Sequence, residues 1–120
     1  MKQERLIENL REMEQVALET AEFMSSLSRE AFNSNLVLQR ALGMNLLMIG
    51  EVANRLVDDH GDFVADHPEI PWMKIRGMRN GIAHNYFRID LDTVWNTSAL
   101  AIPELLTQLR ALRSTHPQGE

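Results

Sequence analysis

Within eight residues, Arg79-Asn80-Gly81-Ile82-Ala83-His84-Asn85-Tyr86, the chain gathers a guanidinium, an amide, an imidazole and a phenol. These groups suit a reaction that needs no metal. A histidine titrating near neutrality can take the proton from a ribose 2′-hydroxyl, or give one to the departing 5′-oxygen. An arginine can hold the charge that builds on the phosphorane, the electrostatic contribution that usually dominates. Asn80, one turn before His84, is placed to orient the imidazole or to meet a phosphate. The attacking 2′-hydroxyl is absent from DNA, so the substrate would be RNA. Arg79 and His84 are the catalytic candidates, with Asn80 in support.

The surrounding stretch is basic. Residues 71–90 carry Lys74, Arg76, Arg79 and Arg88 against Asp90 alone, a local +3 in a 120-residue chain of net charge −5, so the remainder sums to −8. An acidic surface repels polyanions in general, while a basic island admits a phosphate at one place. Lys74, Arg76 and Arg88 are therefore the expected substrate-binding cations.

The elements that must position this segment are helical. Leu6, Leu10, Met13, Ala17, Thr20, Met24 and Leu27, spaced alternately by four and three, predict one long amphipathic helix. Ser28, Asn33, Ser34 and Asn35 supply cap and turn residues after it. From Leu36 to Val57 the apolar residues run almost right round a second helix, which must then be buried on more than one side. A small bundle leaves part of such a helix uncovered, and a second copy of the chain is the economical cover. A homodimer is expected.

Asp58 to Pro68 reads as a polar, acidic connector, either a solvated loop or a short helical turn. It lacks the spacing of an EF-hand loop, and His60, His67 and His116 are not read as ligands. Pro71 suits the first turn of a third helix, in which Trp72, Ile75, Met78 and Ile82 form one apolar stripe. A fourth helix starts at about Leu91; Val94, Trp95, Ile102, Leu105, Leu106, Leu109 and Leu112 are its buried face, and Pro103 kinks or restarts it. The expected fold is all-α, an up-down four-helix bundle with extra short helical turns. Residues 1–113 would form a single domain and residues 114–120 a flexible C-terminal tail.

At about 100° per residue, Asn80 and His84 fall on the side of the third helix opposite its apolar stripe, together with Gly77 and Gly81. Each glycine costs roughly 1 kcal/mol relative to alanine in a helix interior. Small residues there permit close approach by a partner helix or a phosphate backbone. Positions 79 and 84 lie about 140° apart on an ideal helix, so one isolated helix would not aim both at one atom. Either the helix distorts near Gly81, or two helices share the site. Glu51 and Arg55 are most simply an i,i+4 ion pair, although Glu51, set among apolar residues, is also the candidate to hold an arginine of the site.

The absence of cysteine excludes disulfides and thiolate metal sites. No metal and no cofactor is expected. The charged start Met1-Lys2-Gln3-Glu4-Arg5 has no signal-peptide core behind it, and the uncharged run Ala41 to Gly50 falls short of the ~20 residues of a membrane span. The expected location is cytoplasmic.

The segment Arg79-x4-His84-x-Tyr86 resembles the R-x4-H-x-Y signature of HepT-type toxins, a branch of the HEPN ribonuclease superfamily. Ile49 to Leu56, Pro68 to Trp72, Gly77 to Asn80, Tyr86-Phe87 and Val94-Trp95 resemble that family in order and spacing, so the likeness covers about residues 36 to 110. It implies a helical homodimer with active sites at the subunit interface, Arg79 and His84 catalytic, and Asn80 at the polar position after the arginine. It also implies a partner, an MntA-like minimal nucleotidyltransferase antitoxin that transfers AMP onto the motif tyrosine, here Tyr86. Adenylates there would oppose RNA by bulk and by negative charge beside Arg79. The expectation is the toxin of a type VII-like toxin–antitoxin pair, a metal-independent RNA endonuclease. The alternative is a non-catalytic helical module that serves as a platform for a minimal nucleotidyltransferase.

Overall fold

The four-three spacing at the start of the chain becomes helix α1 (Lys2–Met24), which buries Leu10, Met13, Ala17 and Thr20. The computed structural model describes residues 1–84 and 88–115, and of Ala83, His84 and Thr115 the backbone alone. Every regular element among the described residues is helical: α2 (Arg29–Asn33), α3 (Leu36–Asp59), α4 (Gly61–Asp66), α5 (Trp72–His84), α6 (Leu91–Asn96), a π-helical turn (Thr97–Ala101) and α7 (Ile102–Thr115). The fold is all-α. Helix starts coincide with polar caps, as Ser28 Oγ accepts from Ala31 N at 3.0 Å and Asn35 Oδ1 accepts from Leu38 N at 3.0 Å.

Helix α3 is the centre of the molecule. Leu42, Leu46, Ile49, Val52, Ala53 and Leu56 are buried in one core with residues of α1, α5, α6 and α7. Cross-contacts show α1 running antiparallel to α3: Arg55 Nη1 donates to Asn9 Oδ1 at 3.2 Å, while Asn45 Nδ2 donates to Thr20 Oγ1 at 3.1 Å, 25 residues apart in sequence. That second contact is buried, and Thr20 Oγ1 itself donates to Val16 O at 2.8 Å, so this polar pair inside the core is satisfied. By length and composition alone α3 could cross a membrane. Its burial against α1 and α5 is that of a core helix.

Leu36, Val37, Met44 and Met48 nevertheless remain exposed on α3, Val37 at 77% and Met44 at 54%. The expectation that this helix is apolar beyond what one chain covers is met along that stripe.

Pro103 leaves a visible mark. It has no N–H and its ring crowds the carbonyl four residues earlier, and the π-helical turn immediately before it widens the helix at that point. The helix neither stops nor restarts.

The connector differs from the sequence expectation at one residue. His60 joins α3 to α4 and is only 4% exposed, with no hydrogen-bond partner at Nε2. Burial lowers its pKa from the ordinary histidine value, against the Asp59 carboxylate that raises it and with Lys2 and Arg5 that lower it further. The unfolded chain therefore takes up a proton that the folded chain refuses, and stability should be level above about pH 6.5 and fall below it. Urea midpoints at pH 7.5 and 5.5 check this. The difference between them should shrink in His60→Gln; an unchanged difference would mean that other groups set the slope.

Candidate functional site

Pro71 opens α5, its carbonyl accepting the first helical bond from Ile75 N at 3.0 Å. Trp72 and Ile75 are buried, Met78 and Ile82 pack against the same core, and Trp72 Nε1 donates to His67 O at 2.9 Å. The apolar stripe thus sets the rotation of the helix about its axis. The opposite side, with Asn80 and Gly81, is exposed as expected.

At Arg79, α5 comes close against Gly50 of α3. A Cβ placed on Gly50 would stand 2.5 Å from the Arg79 Cβ, 2.8 Å from its backbone nitrogen and 3.0 Å from its Cα. Only glycine lets the two backbones meet this closely. The neighbour of Gly50 is Glu51, whose Oε2 lies 2.7 Å from Arg79 Nε, and Arg79 Nη1 donates to Asn80 Oδ1 at 3.1 Å. One edge of the guanidinium is gripped by a carboxylate and one nitrogen by an amide, which leaves further N–H groups for a ligand. Both partners of the ion pair are 39% exposed, so its worth is orientation more than stability.

Glu51 therefore pairs across helices with Arg79 and not with Arg55, which turns to Asn9 and to Glu12 at 3.5 Å. Of the two pairings the sequence left open for Glu51, the structure has the one across helices, with Arg79. Glu51→Gln keeps the shape and removes the charge; kcat should drop by about tenfold, while the unfolding free energy moves by less than about 1 kcal/mol. A stability loss with kcat unchanged would assign Glu51 to the fold alone.

The basic island is less uniform than its composition implied. Arg76 reaches Asp58 of α3 at 4.0 Å, so two of its four cations face carboxylates that lie outside residues 71–90. Lys74 and Arg88 are exposed, and neither makes an ion pair among the described residues. Arg88 lies on the other flank of α5, lining a cleft of about 300 Å³ with Gly77 and Gly81. The four cations of the island are thus divided between two sides of one helix.

His84 is the last residue of α5. Its side chain lies outside the described residues, as does the whole of Tyr86. The helix is unbroken from Trp72 through Gly81, so positions 79 and 84 stay about 140° apart around its axis. At Gly81 the helix does not break. Sequence inspection missed the part played by Gly50. Its signal was a glycine in the middle of a long helix, which costs roughly 1 kcal/mol unless something must come close.

The family model described as Ribonuclease HepT-like matches residues 6–112. A protein of Thermococcus cleftensis named "Probable ribonuclease HepT" is 34% identical over 92 residues, which are 77% of this chain and 81% of that one. A protein of Caldanaerobacter subterraneus subsp. tengcongensis, named as a candidate RNase, is 34% identical over 91 residues, 76% of this chain and 79% of its own. One from Methanocaldococcus jannaschii, named likewise, is 32% identical over 83 residues, 69% of each. No solved structure matches the chain significantly.

Proposed function

Because the chain belongs to the HepT-like ribonuclease family, we propose that it is a metal-independent RNA endonuclease, the toxin of a toxin–antitoxin pair, in which Arg79 and His84 carry the reaction. The observation that carries this reading is Arg79 itself, fixed at the α3–α5 contact by Gly50, Glu51 and Asn80 with part of its guanidinium open. A preoriented cation of this kind is what a developing phosphorane requires. His84 of one subunit would take the 2′-hydroxyl proton, the 2′-oxygen would displace the 5′-oxygen at phosphorus, and an imidazolium would protonate that leaving oxygen. The products are a 2′,3′-cyclic phosphate and a free 5′-hydroxyl.

The unbroken span of α5 favours a site shared by two copies, since one regular helix turns positions 79 and 84 apart. The exposed stripe of Val37, Met44 and Met48 on α3 leads along the same helix to Glu51 and so to Arg79, and a second copy seated there would bury it beside the site. Asn80 would support the imidazole or a phosphate, and Lys74, Arg76 and Arg88 would meet the RNA backbone. Tyr86 is the proposed acceptor of inhibitory AMP from an MntA-like nucleotidyltransferase, two residues from His84 in sequence. No membrane association is proposed, and the proposed location is the cytoplasm.

The testing experiment combines RNA cleavage with intact mass, on protein made alone and with a co-expressed minimal nucleotidyltransferase and ATP. The expected outcome is cleavage by the unmodified protein, lost as adenylate mass appears on the fragment that holds Tyr86. Unchanged mass and no cleavage by the unmodified protein would favour the non-catalytic platform.

A further inference from the structure

The cleft flanked by α5 and the start of α6 is not needed to explain Arg79, which does not line it. Its α5 wall is Gly77, Met78, Gly81 and Ile82, with Leu46 of α3 beneath. A Cβ on Gly77 or Gly81 would meet nothing within 4 Å among the described residues, so their packing does not demand either glycine. Together they hold open a space that ordinary side chains would fill, at a helix cost of roughly 1 kcal/mol each.

The far edge is polar and hydrogen-bonded. Asp90 caps α6: its Oδ1 accepts from Asp92 N at 3.0 Å and Thr93 N at 3.4 Å, and its Oδ2 accepts from Thr93 Oγ1 at 3.0 Å. Those bonds hold its carboxyl below the ordinary aspartate range, so it is an acceptor throughout the neutral region. Thr97 lines the same edge and carries a hydroxyl. An apolar slot with acceptors along one side suits a flat ligand that carries N–H donors at its rim. About 300 Å³ is at the small end of ligand sites, enough for one base and not for a duplex. Lys74, one turn before Gly77, and Arg88 on the cleft itself are cations that make no ion pair among the described residues.

We propose that this cleft takes an unpaired nucleobase of the RNA substrate, with Asp90 and Thr97 reading its N–H edge and Lys74 and Arg88 meeting the phosphates on either side. Unpaired bases are the part of RNA whose edges a protein can read. The acceptor edge favours bases that present an amino group, adenine, cytosine or guanine, over uracil. The assignment rests on the ribonuclease reading for the identity of its ligand, and it adds a specificity site distinct from Arg79 and His84.

The test is binding of short 2′-fluoro oligoribonucleotides, which lack the attacking hydroxyl, to the full chain, read by fluorescence anisotropy. Wild type should bind amino-bearing sequences about tenfold more tightly than oligo-uridine, and removal of one base should cost a similar factor. Gly77→Leu, which fills the cleft while favouring the helix, should erase both differences. Asp90→Asn keeps an N-cap but turns one acceptor into a donor, and should move the preference towards uracil. Thr97→Val should reduce discrimination between bases without changing the sedimentation of the protein. Base preference that survives Gly77→Leu overturns the proposal. So does conversion of a dimer to a monomer by Gly77→Leu, which would give the cleft to a second copy of the chain. Base-dependent binding without cleavage of ordinary RNA would sink the ribonuclease reading and uphold the base site; cleavage without base-dependent binding would do the reverse.

Discussion

Arg79→Ala is expected to slow RNA cleavage by about 10²- to 10³-fold, the loss typical of removing one preoriented donor from a developing oxyanion. The folded state should hardly notice. The side chain is 39% exposed and its ion pair with Glu51 is screened by water, so the unfolding free energy should change by less than about 1 kcal/mol. Arg79→Lys should restore only part of the rate, because an ammonium cannot keep the Nε contact to Glu51 while offering further N–H groups to phosphate. His84→Ala should cost about 10²- to 10⁴-fold, as expected for a lost general acid–base group. Initial rates at saturating RNA, with urea melts of the same preparations, separate chemistry from folding. An alanine variant at position 79 or 84 as active as the parent would remove that residue from the reaction.

Gly50→Val should be the most damaging single change in the core that leaves every proposed catalytic residue in place. Even an alanine Cβ would sit 2.5 Å from the Arg79 Cβ and 2.8 Å from its backbone nitrogen, and neither can swing aside as the tip of a flexible side chain could. The helices must separate, at a cost of about 1–3 kcal/mol for overpacking, offset by only about 0.3–0.5 kcal/mol of regained helix propensity, because a β-branched side chain is itself a poor helix former. Parting α5 from α3 also pulls Arg79 away from Glu51. Activity should therefore fall further than stability does, with the urea midpoint lowered and kcat reduced by at least about tenfold. Gly77→Ala is the control, a helical glycine on the same α5 with nothing within 4 Å of its added Cβ. It should raise stability slightly, and equal losses at the two positions would show that the tight contact at Gly50 is not what matters.

The helices and the catalytic candidates were legible in the sequence because both are local properties. A period of 3.6 residues tells which face of α1 or α5 is apolar, and caps such as Ser28 and Asn35 act within three residues of themselves. The motif Arg79-x4-His84-x-Tyr86 is likewise contained in eight residues, and the family match over residues 6–112 agrees with what it implied about the family. What the tertiary structure decided are the choices among partners. Glu51 had Arg55 one turn away on its own helix, yet takes Arg79, 28 positions later in sequence, because the glycine at position 50 brings that backbone into contact. Arg76 is met by Asp58 in the same way, so charge that looked like an open basic island is partly answered from α3. His60, placed by composition in a solvated connector, is buried where α3 ends and α4 begins. Periodicity settles which way a side chain faces on its own helix. Which of several equally placed charges it meets depends on distances of a few ångströms between helices, and these arise only when the core has packed.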